Sequence, residues 1–168
     1  MPPSRALRLP WVALLVCLLA GCGGRPPSAV AEGERLDCPD GAFSLIVPEG
    51  WQGRASRAAI TVTRTTSYGG GYPAMNVRRI GPGELAAVDF DGSTQSSRSG
   101  EIKYRYRRWR NARGQGYRLE ALITTPQGVV FADGSVWDPA QTMDRRFFHS
   151  AFWPMLNSLE ARALPSRP

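Results

Sequence analysis

Between positions 102 and 118 the chain places Lys103, Arg105, Arg107, Arg108, Arg110, Arg113 and Arg118 among Tyr104, Tyr106, Trp109 and Tyr117. Cations interleaved with aromatic rings suit anions, because a guanidinium fork matches phosphate and carboxylate oxygens. On a strand, alternate residues share a face. Lys103, Arg105, Arg107 and Trp109 then form a candidate anion-docking face, while Ile102, Tyr104 and Tyr106 turn to the core. The facing strand of the expected hairpin offers one acid, Glu120, which predicts a positive face left largely unpaired. Two readings stay open. The face docks an anionic lipid, a lipopolysaccharide or an acidic envelope protein, or it is a solvated outer face in a chain whose basic residues are almost all Arg. Lys103 is the only Lys among 21 basic residues.

The other reactive residue types assemble into nothing comparable. His149 is the only His and has Arg145 and Trp153 as its helical neighbours, on the side away from the apolar stripe. No His/Cys spacing suits a metal, and no nucleophile–base pattern suits catalysis. Tyr68-Gly69-Gly70-Gly71-Tyr72 lacks the Lys or helix start of a phosphate cradle and reads as a hairpin loop. Asp89 and Asp91 read as turn residues. The sequence thus predicts no catalytic residues, no metal and no cofactor. Cys38 is either a packed, inert thiol or a site of intermolecular disulfide formation or reactivity.

The elements that must position the basic run come from pattern. The chain has 168 residues, formal charge +7, 42% apolar residues, 18 Gly and 14 Pro, which fits one small globular domain and not a disulfide scaffold or a disordered chain. Strands are expected at Phe43–Val47, Ile60–Thr65, Met75–Ile80, Ile102–Arg110, Tyr117–Thr124 and from Val129, with a short helix at Glu84–Phe90 and a polar loop at Asp91–Gly100. The turn at Pro48-Glu49-Gly50 delivers Trp51 as a core anchor. Asp138, Pro139 and Gln141 form a helix start. Phe148, Phe152, Met155 and Leu159 then repeat at helical spacing, with Phe147 and Ala151 widening the stripe. Pro154 should kink that helix. Strands first and a dominant helix last predict an α+β fold: one small domain, an antiparallel sheet covered by a long C-terminal helix.

The first segment is an address. Arg5 and Arg8 precede an apolar stretch from Trp11 to Ala20, too short to span a bilayer stably. Leu19-Ala20-Gly21-Cys22 resembles the lipobox of bacterial lipoproteins at every position. The resemblance implies cleavage before Cys22, acylation of its thiol and new amino group, and attachment to a membrane through those chains; stable anchoring takes two or more chains. Gly23, rather than Asp, after Cys22 implies outer-membrane delivery facing the periplasm. The expected organisation is a leader at 1–21, a flexible tether at 22–35, one domain at 36–162 and a tail at 163–168. Such an address argues against nucleic acid as a partner of the basic strand.

Phe43-Ser44-Leu45-Ile46-Val47-Pro48-Glu49-Gly50-Trp51 resembles the opening of the PsbP-like and Mog1-like α/β/α sandwich family, and Phe152 with Met155–Leu159 resembles its closing helix. That likeness implies a non-catalytic accessory module, with no shared catalytic residues. The functional expectation is therefore a lipid-anchored, non-enzymatic interaction module of the cell envelope. The alternative is a small ligand-binding protein or enzyme with a pocket between helix and sheet, using polar groups near His149 or Glu120.

Overall fold

The structure is a computed structural model that describes residues 31–67, 71–88, 90–138 and 145–162. Seven strands form one antiparallel sheet. They are β3 (Trp51–Ser56), β4 (Ala59–Arg64), β5 (Ala74–Ile80), β6 (Ser93–Ser97), β7 (Gly100–Asn111), β8 (Gly114–Thr125) and β9 (Gly128–Asp138), in the spatial order β3-β4-β5-β9-β8-β7-β6. A second antiparallel sheet holds β1 (Gly33–Asp37), β2 (Phe43–Pro48) and β10 (Glu160–Ala161), with β2 central. The helices α1 (Pro82–Ala87), α2 (Arg145–Ala151) and α3 (Trp153–Ser158) are each only six or seven residues long.

This corrects the expected fold class. The described chain is mostly β, with two antiparallel sheets, and among the described residues no long C-terminal helix covers a single sheet as the α+β reading and the α/β/α sandwich likeness implied. The expected helix breaks between Ala151 and Trp153, and the chain turns extended at Leu159. Pro154 sits in the first turn of α3, where a missing N–H costs nothing. Inside one long helix it would have removed a bond to Ser150 and clashed with the preceding turn. Starting a new helix there resolves the conflict.

In the middle of the chain one expectation fails and another is extended. The polar stretch after Asp91 contains edge strand β6, whose Ser and Thr residues pair with the start of β7. The residues after Val129 form a long interior strand between β5 and β8. Apolar alternation is obscured in β9 because it is covered on both faces at one end. Val130, Ala132, Gly134 and Val136 point to the main core, while Val129 and Phe131 join a smaller cluster.

The main core fills the space between the long sheet and the layer made by β2, α2 and α3. Phe43, Leu45, Ile60, Met75, Ile102, Leu119, Ile123, Phe152, Trp153, Met155 and Leu156 are all buried there. Gly134 brings the sheet backbone against Phe152: a Cβ at that position would lie 3.1 Å from the ring. The Ile46 N–H donates to Ser158 Oγ at 2.9 Å, tying β2 to α3. On the outer face α1 covers a small cluster of Ile80, Phe90 and Leu122, with Leu85, Val88, Val129 and Phe131 packed around it. Burying both faces of one corner leaves the rest of the outer face to polar residues.

The N-terminal boundary reaches further back than residue 36. Strand β1 begins at Gly33, and the buried Ala31 donates its N–H to the Pro154 carbonyl at 2.9 Å. Cys22, the leader, residues 23–30, the Tyr68-Gly69-Gly70 run, Asp89, Pro139, Gln141 and the tail lie outside the described residues.

Candidate functional site

The basic run occupies β7 and the start of β8, and its register with β9 fixes every partner. Arg105 lies opposite Glu120, and Glu120 opposite Asp133. Arg107 lies opposite Arg118, Lys103 opposite Leu122, and Trp109 opposite Gly116. The predicted alternation holds for the core side. Ile102 is fully buried, Tyr104 meets Trp153 edge-on at 4.8 Å, and Tyr106 accepts a hydrogen bond from Trp153. Lys103, Arg105, Arg107 and Trp109 therefore share the outer face.

That face is not the unpaired positive surface the sequence suggested. Glu120, with its side chain 8% exposed, meets three guanidiniums: Arg105 Nε at 2.5 Å, Arg107 Nε at 3.2 Å and Arg118 Nε at 3.4 Å. Arg118 also grips Asp133 with two bonds, of 2.7 and 2.5 Å. Arg105 extends the row to Asp91 at 3.4 Å and stacks over the Phe90 ring at 4.7 Å. Hydrogen bonding to Glu120 raises the Arg105 pKa above its ordinary value against an opposing desolvation, and hydrogen bonding to Asp133 does the same for Arg118. The centre of the outer face is thus a saturated ion network. Asp133 escaped the sequence reading because the strand expected from Val129 had neither a length nor a pairing partner, so its position across from Glu120 had no register to stand on.

What remains open is the hairpin end. Arg107, Arg108, Trp109 and Arg118 line a shallow hollow of about 540 Å³. Trp109 lies flat on Gly116, where a Cβ would come within 2.0 Å of the indole. Trp109 is nevertheless 42% exposed. Arg108, read as the opposite side of the strand, donates to Gln115 at 2.7 Å, and Gln115 donates to the buried Asp138 at 3.0 Å. Arg110 and Arg113 at the hairpin tip are exposed, and no carboxylate among the described residues pairs with either. The four docking candidates thus divide into three kinds: Arg105 is locked in the network, Arg107 and Lys103 lie at its margins, and Trp109 belongs to the tip.

The remaining candidates are apart. His149 is half-buried with its ring 6.0 Å from Tyr106, on the inner side of the sheet, whereas Glu120 faces outward. The polar groups that a pocket between helix and sheet would need are therefore on opposite faces. Two further hollows, of about 380 and 420 Å³, lie beside Trp51 and Gly53 and beneath α1. Cys38 is buried, and its thiol is pushed up to about 11, chiefly by desolvation and next by a hydrogen bond with Asp40. Among the described residues no group of three His, Cys, Asp or Glu could hold a metal, and no helix is long and apolar enough to cross a membrane.

No family model matches the chain, and no curated protein resembles it. A solved structure of a protein from Bacteroides thetaiotaomicron VPI-5482 is similar over 77% of this chain and 48% of its own, at 14% identity and a TM-score of 0.49. This chain spans about half the length of that protein.

Proposed function

We propose that this protein is a lipid-anchored lipoprotein of the bacterial envelope, outer-membrane delivered and facing the periplasm, which works as a non-catalytic interaction or accessory module. The observation that carries the reading is Cys22 at the end of Leu19-Ala20-Gly21-Cys22, behind a short basic and apolar leader. The architecture is compatible with it. Strand β1 begins eleven positions after Cys22, so a short segment joins the acyl chains to the domain. The most elaborate polar cluster supports an interaction role rather than chemistry: the Glu120 carboxylate is fully engaged by Arg105, Arg107 and Arg118.

Intact-mass analysis of the protein purified from its native membrane tests the anchor. The expected product begins at Cys22 and carries a diacylglyceryl thioether, and Cys22→Ala should leave an uncleaved precursor. A bare residue 22, or a retained leader in the unmutated protein, overturns the proposal.

A further inference from the structure

We infer that the hairpin end of the long sheet is a membrane-docking edge, which seats Trp109 and the surrounding arginines on the anionic phospholipid surface to which the chain is tethered. The inference rests on the lipid anchor proposed above and adds an orientation to it.

The first support is where the tether enters. Gly33 pairs with Pro48, and the chain turns through Glu49 and Gly50 into Trp51. Trp51 lies opposite Arg64, and the Arg64 N–H donates to Pro73. Gly71 packs its backbone on Trp137, Trp137 lies opposite Gly116, and Gly116 opposite Trp109. These residues form one row across the same end of the sheet. Five interstrand steps of ~4.8 Å put Trp109 roughly 24 Å from the tether side. The chain is fixed again at Ala31, which is buried and bonded to Pro154, so the stretch from Cys22 to Ala31 can span at most ~30 Å even when fully extended. The anchored end of the domain is therefore also its Trp109 end, held at high local concentration against the bilayer.

The second support is what that end displays. Among the described residues, Trp109 (42%) and Tyr72 (63%) are the exposed large hydrophobic side chains, and both belong to this row or adjoin it. Trp and Tyr favour the headgroup level of a membrane, where one end of the ring is apolar and the other wet. Arg107 shares the face of Trp109 and lines the same hollow, and the exposed Arg110 and Arg113 lie at the strand end and the turn just beyond it. Of the described acids at this end, Glu34 and Glu49 sit beside the tether at the opposite corner, with Glu32 next to Gly33, and Asp138 on the hairpin side is buried and bonded by Gln115. Arg residues close to an anionic leaflet are attracted additively, and the attraction dies within a Debye length. The asymmetry tilts the hairpin tip toward the lipid. An acidic protein would use the same cations but would have no need of exposed indole and phenol rings on the anchored side.

The test uses the lipidated protein reconstituted in vesicles of phosphatidylcholine alone or with 30% phosphatidylglycerol, with bromine-labelled acyl chains as a contact quencher of Trp. Expected are quenching in the anionic vesicles at low salt, its loss at high salt or in phosphatidylcholine alone, and its loss in Trp109→Phe. Replacing Arg110 and Arg113 with Ser should lower the docked-to-free ratio about 10- to 30-fold. Both lie on an exposed tip, so circular dichroism should show an unchanged fold. Protein that floats with the vesicles but shows no salt-sensitive quenching, or the same quenching in Trp109→Phe, overturns the docking edge and leaves the anchor standing. Protein with a bare residue 22 that does not float overturns both.

Discussion

The indole N–H of Trp153 donates a 2.6 Å hydrogen bond to the Tyr106 hydroxyl, joining the first turn of α3 to the middle of β7. Trp153 is completely buried, and its ring meets Tyr104 edge-on one layer along. The helical reading had put Trp153 on the side away from the apolar stripe. The break after Ala151 reorients it, so that it fills the space between helix and sheet. Trp153→Phe keeps most of the apolar volume and removes the donor. It should cost about 1–3 kcal/mol, which lowers the melting temperature by roughly 4–12 °C for a domain of this size. A thermal scan showing no shift would mean that this bond adds nothing to the helix–sheet contact.

Two glycines of the long sheet should respond in opposite ways to an added methyl. At Gly134 the new Cβ meets the Phe152 ring at 3.1 Å inside a closed core. Gly134→Ala should destabilise the protein by about 1–3 kcal/mol, because a packed interior absorbs extra volume only through strain. At Gly116 the obstacle is the indole of Trp109, which borders solvent and can swing aside. Gly116→Ala should leave stability within about 0.5 kcal/mol while moving Trp109 emission to the red. Denaturant titrations followed by intrinsic fluorescence measure both effects.

Cys38 should be inert until the protein unfolds. The thiolate is the reactive form, and a thiol pushed up to about 11 by burial is almost wholly protonated at pH 8. Titration of the mature protein with an aromatic disulfide reagent should count no fast thiol in the folded state. After denaturation it should count one if Cys22 is thioether-linked and two if it is bare. A fast-reacting thiol in the folded protein would contradict the burial of Cys38.

The Arg78–Glu84 pair predicts an acid-sensitive α1. Both oxygens of Glu84 accept from the Arg78 guanidinium, and this bonding lowers the Glu84 pKa below its ordinary value against a smaller desolvation. A depressed carboxylate stabilises the folded state above its unfolded pKa of about 4.3 and loses that contribution as pH falls through the folded value. The pair is solvent-exposed, so the effect should be local. The protection factors of the Leu85 and Val88 amides, which close α1, should therefore fall as pH drops below the ordinary carboxylate range, and Glu84→Gln should show the lower protection already at neutral pH. Identical protection in the two proteins at neutral pH would remove the pair from the account of α1.

The strands with a clean period of two were legible. Ile60 and Val62 point inward as alternation requires, and so do Ile102, Tyr104 and Tyr106. Strand β6 was not legible, because an edge strand of Ser, Thr and Gln carries the composition of a loop and owes its form to pairing with β7. Strand β9 was legible only at its start, because apolar residues on both faces erase alternation and hid its length and its pairing. Without that pairing Asp133 had no place, and the arginine face had no second acid from the far side of β8.

By itself the sequence determined the two faces of β7 and an interruption of the helical pattern near Pro154, since each depends on neighbours along the chain. The tertiary structure alone decided that the chain forms two β-sheets, that Glu120 and Asp133 share one guanidinium row, and that Gly33, through Pro48 and Trp51, lies at the same end of the fold as Trp109. Strand order and register bring together residues far apart in sequence, and no local pattern encodes a pairing between β5 and β9 across some fifty positions.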